Sequence, residues 1–92
     1  MFDAVHSKVQ TFRVDIYIAL KGTLAEFLET LAEYGSPRIV SYEPALDSPL
    51  LGYRSPTMVL EFTSYEDALG FAQRWFGQSA ENAKEYVETI TV

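Results

Sequence analysis

From Phe12 to Leu20 the chain reads FRVDIYIAL, with apolar residues at every second position. Phe12, Val14, Ile16, Ile18 and Leu20 face one way, and Thr11, Arg13, Asp15 and Tyr17 face the other. Side chains alternate across a strand, so this is a strand with one buried face and one wet face. The remaining residues must supply the layer that covers it. With 92 residues in all, that layer and the strand belong to one domain, since there is no room for a second core.

The segments that follow fit that requirement. "KGT" breaks the strand, and Thr23 with Glu26 three residues on forms a capping box that opens a helix. Leu24, Phe27, Leu28 and Leu31 are its expected buried stripe, and Gly35 is placed to end it. "PRIVSY" reads as a short strand, with Pro37 pointing to an edge position. "TMVLEF" puts Met58, Leu60 and Phe62 on one face and Val59 and Glu61 on the other. Ser64 and Asp67 start a second helix with Ala68, Leu69, Ala72, Trp75 and Phe76 as its apolar stripe, closed by Gly77. A turn of helix is expected from Ser79 to Lys84, and "YVETITV" reads as a last strand on β-branched content, its buried face left open. The order β-α-β-β-α-β, with right-handed crossovers, predicts an α+β fold: a ferredoxin-like sandwich of a four-stranded antiparallel sheet with two helices on one face.

Several kinds of chemistry are disfavoured. The chain has no cysteine, which removes disulfides, thiol nucleophiles and thiolate metal sites. Its single histidine, His6, lies near the N-terminus, so a triad or a histidine-rich zinc site would have to be built around a terminal residue. The five glycines are scattered and form no phosphate loop. No catalytic residue, cofactor site or metal site is expected. Thirteen acids against seven bases give a net charge of -6, which argues against direct nucleic-acid binding and suits either solubility or a basic partner. No apolar stretch approaches the roughly 20 residues of a membrane span, and the N-terminus lacks the layout of a signal peptide, so no membrane contact and a cytoplasmic location are expected.

The acidic residues admit two readings. Glu26, Glu29 and Glu33 recur along one side of the first helix, either as a solvated face or as a ridge matched to lysines and arginines. Glu66 and Asp67 sit where negative charge suits the positive end of a helix, and adjacent helical positions point apart, which makes an acid-base pair a poor reading. Asp15, Tyr17 and Glu61 should share the sheet face away from the helices. An aromatic there is reminiscent of RNA-binding sheets, but the two acids would repel phosphate, and a pairing surface for another subunit fits better. "LEFTSYEDALGFAQRWF" has the strand-then-helix look of the small dimeric α/β-barrel proteins.

Between the second and third of these strands lies SYEPALDSPLLGYRSP, residues 41–56, which holds three of the four prolines. Connections beyond about 12 residues are uncommon unless functional or disordered, and prolines lower the entropy lost on ordering. Either Leu50 and Leu51 cap the open end of the core while Tyr53 begins an extended third strand, or the segment is a contact surface.

The opening MFDAVHSKVQTFRVDIYIALKGTLAEFLETLAEYG, with the length, the acidity and the missing cysteine, resembles the phage-encoded anti-CRISPR proteins that act on type I-F systems. That resemblance implies a non-catalytic inhibitor in the host bacterial cytoplasm. It would bind subunits of the crRNA-guided surveillance (Csy, or Cascade) complex and block recognition of target DNA. Such a complex exposes basic side chains along its DNA path. The partner-binding residues expected on this basis are Glu26, Glu29, Glu33, Glu43, Asp47, Leu51, Tyr53 and Arg54. Arg13, Arg38 and Arg54 could reach guide RNA locally, with no binding of free DNA. The competing reading is a small ferredoxin-like or dimeric α/β-barrel protein with a ligand-binding or minor enzymatic role.

Overall fold

The structure, a computed structural model, describes residues 9–18 and 24–91. The alternating segment forms β1 (Gln10–Tyr17), and TMVLEF forms β5 (Thr57–Phe62). They pair antiparallel with Val14 opposite Leu60 and Ile16 opposite Met58, so the apolar sets of both strands fall on one face. β2 (Arg38–Glu43) pairs with β5, and β6 (Val87–Thr91) with β1, both antiparallel. The sheet order is β2-β5-β1-β6. Pro37 stands just before β2, which is an edge strand as its proline predicts, and the register with β5 shifts at Val40. A second, two-stranded sheet, β3 (Leu46–Ser48) and β4 (Gly52–Arg54), occupies the proline-rich segment.

Among the described residues there are three α-helices: α1 (Leu24–Ala32), α2 (Tyr65–Phe76) and the short α3 (Ala80–Ala83), the last running into a 3-10 turn at Lys84–Tyr86. None of the described helices is long and apolar enough to cross a membrane. The expected capping residue Thr23, with Leu20, the KGT break and His6, lies outside the described residues. At the end of α1, Gly35 adopts φ 79° and the Ser36 N–H donates to Leu31 O at 3.0 Å, a left-handed helix stop. A Cβ on Gly35 would also stand 2.6 Å from Asp67 Oδ2, so a side chain there would have to displace the Asp67 carboxylate as well as adopt a positive φ. α2 is capped as its sequence predicts. Ser64 Oγ accepts from the Asp67 N–H at 3.4 Å, and Gly77 is left-handed at φ 64°.

The core joins Val14, Ile16, Met58, Leu60 and Phe62 of the sheet to Phe27 and Leu31 of α1 and to Ala68 and Phe71 of α2. Phe71 is its hub. Its ring stacks on Trp75 (centroids 5.6 Å), meets Phe62 at 5.5 Å and stands edge-on to Tyr34 at 6.0 Å. Trp75 in turn meets Phe27 of α1 edge-on at 5.6 Å. The expected stripe of α2 omits Phe71, its most central member, which lies three residues after Ala68 and is fully buried. Trp75 and Phe76 are partly buried against the core, as expected. Leu24 and Leu28 of α1 are not buried: they are 60% and 49% exposed, because only Phe27 and Leu31, one turn apart, point at the sheet. In β6 the register sets Val87, Thr89 and Thr91 on the face of Val14 and Phe12, which answers the question left by its β-branched composition. Truncating the hub, Phe71→Ala, is expected to destabilise the fold by about 3–5 kcal/mol, and Ser64→Ala by about 1 kcal/mol, in urea unfolding.

Candidate interaction site

The 41–56 segment is neither a loop nor a cap on the core. Glu43 lies opposite Thr57, and three residues further along each strand Leu46 lies opposite Arg54. The register therefore runs without slip from β2–β5 into β3–β4, setting Pro44 opposite Pro56. The segment is the far end of one long hairpin that leaves the sheet as a two-stranded ribbon. Pro56 explains why the ribbon leaves alone. Its carbonyl accepts the Ile18 N–H at 2.8 Å, so that edge of the strand faces β1, and proline has no N–H to return. Among the described residues, pairing with β1 ends there.

The turn at the tip is built from its own sequence. Pro49 fixes one backbone angle, Ser48 Oγ accepts from the N–H groups of both Leu50 and Leu51 at 3.2 Å, and Gly52 supplies φ 82°. Leu50 and Leu51 are thereby held at the apex, 94% and 79% exposed, with Tyr53 68% exposed beside them. The expectation that the two leucines cap the core is overturned: the ordered turn holds them in solvent at the far end of the ribbon. Tyr53 does sit in a strand, but in the ribbon and not in the main sheet. Asp47 faces Tyr53 across the ribbon, and Glu43 pairs with Arg54 at 3.2 Å. Four of the expected contact residues, Asp47, Leu51, Tyr53 and Arg54, thus share one projecting element, and Glu43 stands at its root as the last residue of β2. Their charge is nearly balanced, because Arg54 offsets Glu43.

The other three expected residues lie elsewhere. Glu26 and Glu29 are exposed on α1, and Glu33 follows it. Glu33 is engaged with Arg74 of α2 at 2.6 Å, so the ridge is not three equivalent acids. The Tyr34 hydroxyl and the Glu33 carboxylate together hold Arg74 protonated beyond its ordinary range. At the root of the ribbon, Ile18, Leu24, Phe27, Tyr42, Pro56 and Met58 line an apolar cleft of about 300 Å³. Sequence periodicity does not reveal it, since four elements contribute and no motif links them.

The opposite sheet face carries a different feature. Arg13 Nε donates to Glu61 Oε2 at 3.1 Å and Arg38 Nη2 to Glu61 Oε1 at 2.8 Å, across three adjacent strands. The hydrogen bond from Arg38, then that from Arg13, holds the Glu61 carboxyl below the usual range. Arg13, Arg38 and Arg54 are therefore each committed to a carboxylate within the chain, which reduces what they can offer to RNA. Beside this clamp a polar cavity of about 220 Å³ is lined by Arg13, Asp15, Glu85, Tyr86 and Glu88. Among the described residues no group of three His, Asp or Glu side chains is placed to hold a metal ion. Comparison with family models, with curated proteins and with solved structures finds no match to this chain.

Two outcomes follow from this geometry. Replacing residues 44–56 by an Asn-Gly turn between Glu43 and Thr57 is expected to leave the core folded by circular dichroism. The backbone bond it removes, Ile18 to Pro56, is worth about 1 kcal/mol. Glu61 gives the second. Because its folded-state pKa is lowered, the clamp stabilises the fold above the ordinary carboxylate range, and that contribution is lost as pH falls through the lowered value. Urea midpoints across an acid series should fall more steeply for the wild type than for Glu61→Gln; parallel slopes would remove the clamp as a source of pH dependence.

Proposed function

We propose that this chain is a binding protein that acts stoichiometrically, without chemistry of its own, and that the ribbon is its principal contact. The observation that carries this is the pair Leu50 and Leu51, held in solvent by a turn built to order them, with Tyr53 alongside. Clustered apolar and aromatic groups at the end of a pre-ordered element are what a partner pocket can bury at small entropic cost. The partner implied by the resemblance is the type I-F CRISPR surveillance complex, met in the cytoplasm of an infected bacterium. The net charge of -6 would steer approach to its basic DNA path, with the exposed Glu26 and Glu29 contributing. The nearly balanced charge of the ribbon favours Leu50, Leu51 and Tyr53 over Glu43 and Asp47 as its contact residues.

The fold is read as a ferredoxin-like sandwich with α1 and α2 on one face. The strand order β2-β5-β1-β6 and a core shared by both helices support that reading. The second functional reading, a ligand-binding or minor enzymatic protein of this fold, is favoured by the polar cavity beside Arg13.

The partner is tested by mixing the protein with purified surveillance complex on a sizing column and assaying target-DNA binding. Co-elution with loss of DNA binding is expected; free protein and undisturbed DNA binding would remove this partner. Leu50→Asp with Leu51→Asp should weaken association by roughly thirtyfold or more, as expected for central apolar anchors. Reversing Glu26 and Glu29 to lysine should instead slow association and flatten its salt dependence.

A further inference from the structure

Two features of the ribbon are complementary, and neither is satisfied by the described residues of its own chain. At its tip, Leu50 and Leu51 are almost fully exposed. At its root lies the apolar cleft, floored by Ile18, Phe27 and Met58, buried residues of the core, and rimmed by Leu24 and Tyr42, which are exposed. Its volume of about 300 Å³ is at the lower end of pockets that accept small apolar groups. The tip cannot enter the cleft of its own chain. Five residue steps lead from Pro56 at the root to Leu51 at the tip, on the order of 15 Å at roughly 3.3 Å per step, and the paired strands between them hold that distance.

We propose that two copies of this chain associate about a two-fold axis, the Leu50-Leu51 tip of each ribbon entering the apolar cleft at the root of the other. The length of the ribbon makes this arrangement self-consistent. When two equal ribbons lie side by side and antiparallel, the tip of one falls at the root of the other, and the reverse contact follows from symmetry. One rotation therefore satisfies both tips and both clefts and leaves no open end from which a chain of copies could grow. The same ribbon also hides its most exposed apolar residues whenever no other partner is present.

The inference does not rest on the partner proposed above, and Leu24 separates the two. Leu24 is 60% exposed on the cleft rim, in the first turn of α1, where an acid suits the helix. Leu24→Glu should weaken the dimer while leaving the tip free for a heterologous partner, whereas the double tip variant weakens both.

Sedimentation velocity over a concentration series tests the dimer. The wild type is expected to dimerise, and Leu50→Asp with Leu51→Asp, or Leu24→Glu alone, should raise the dissociation constant roughly thirtyfold or more. Mixing the tip variant with the rim variant is the discriminating measurement. Each variant homodimer has no intact contact, but the mixed pair has one, an unaltered tip in an unaltered cleft, so association should return in the mixture only. A wild type monomeric up to its solubility limit would overturn the proposal, as would a tip variant that dimerises like the wild type. Absence of recovery on mixing would also overturn it, and would point to tips meeting tips or to pairing of sheet edges.

Discussion

The ring of Phe71 is the contact on which the rest of the structure depends. It touches Phe62 of the sheet and Trp75 of its own helix, and through Trp75 it reaches Phe27 of α1. Tyr34, from the turn after α1, closes the cluster. A domain this small buries a limited fraction of its surface, so a few large rings carry much of the apolar burial. The turn after α1 obeys the same constraint. Gly35 gives room to Asp67, and a Cβ on Gly70 would lie 3.1 Å from the Tyr34 ring. Two small residues thus let α2 and the turn after α1 come close enough for the rings to meet.

The two faces of the sheet use different physics. The face of Val14, Leu60 and Phe62 is apolar and closely packed, and no buried side-chain polar atom among the described residues lacks a partner. The other face is held by a charge cluster in which one carboxylate serves two guanidiniums from the strands on either side. With its side chain only 12% exposed, Glu61 is the least accessible member. Removing it would leave Arg13 and Arg38 next to one another without an anion between them.

Where side chains alternate or caps are explicit, sequence and structure coincide. FRVDIYI and TMVLEF become paired strands in the register their apolar residues require, and Ser64 and Gly77 bound α2 as cap chemistry predicts. The ribbon was not legible for a physical reason. Hairpins are recognised by turns such as Asn-Gly, whereas this one turns on Pro-Leu-Leu-Gly, whose leucines look like core. What orders them is the Ser48 hydroxyl, and that shows only once the backbone is folded. The cleft was hidden for another reason: it exists only where the ends of β1, α1 and the hairpin converge. Of the eight residues expected to form one surface, five on or at the root of the ribbon and three around α1 fell into two groups, because spacing within a segment says nothing about distance between segments.

The place where the ribbon parts from the sheet has a consequence for how such a chain can change over generations. Beyond Pro56 no ribbon residue belongs to the buried core, so substitutions there draw little on the stability that Phe71 and its neighbours supply. The turn asks only for Ser48, a proline and a left-handed glycine; the residues between them are unconstrained by folding. A surface of this kind can be rewritten residue by residue to follow a partner that is itself changing, while the scaffold behind it stays the same.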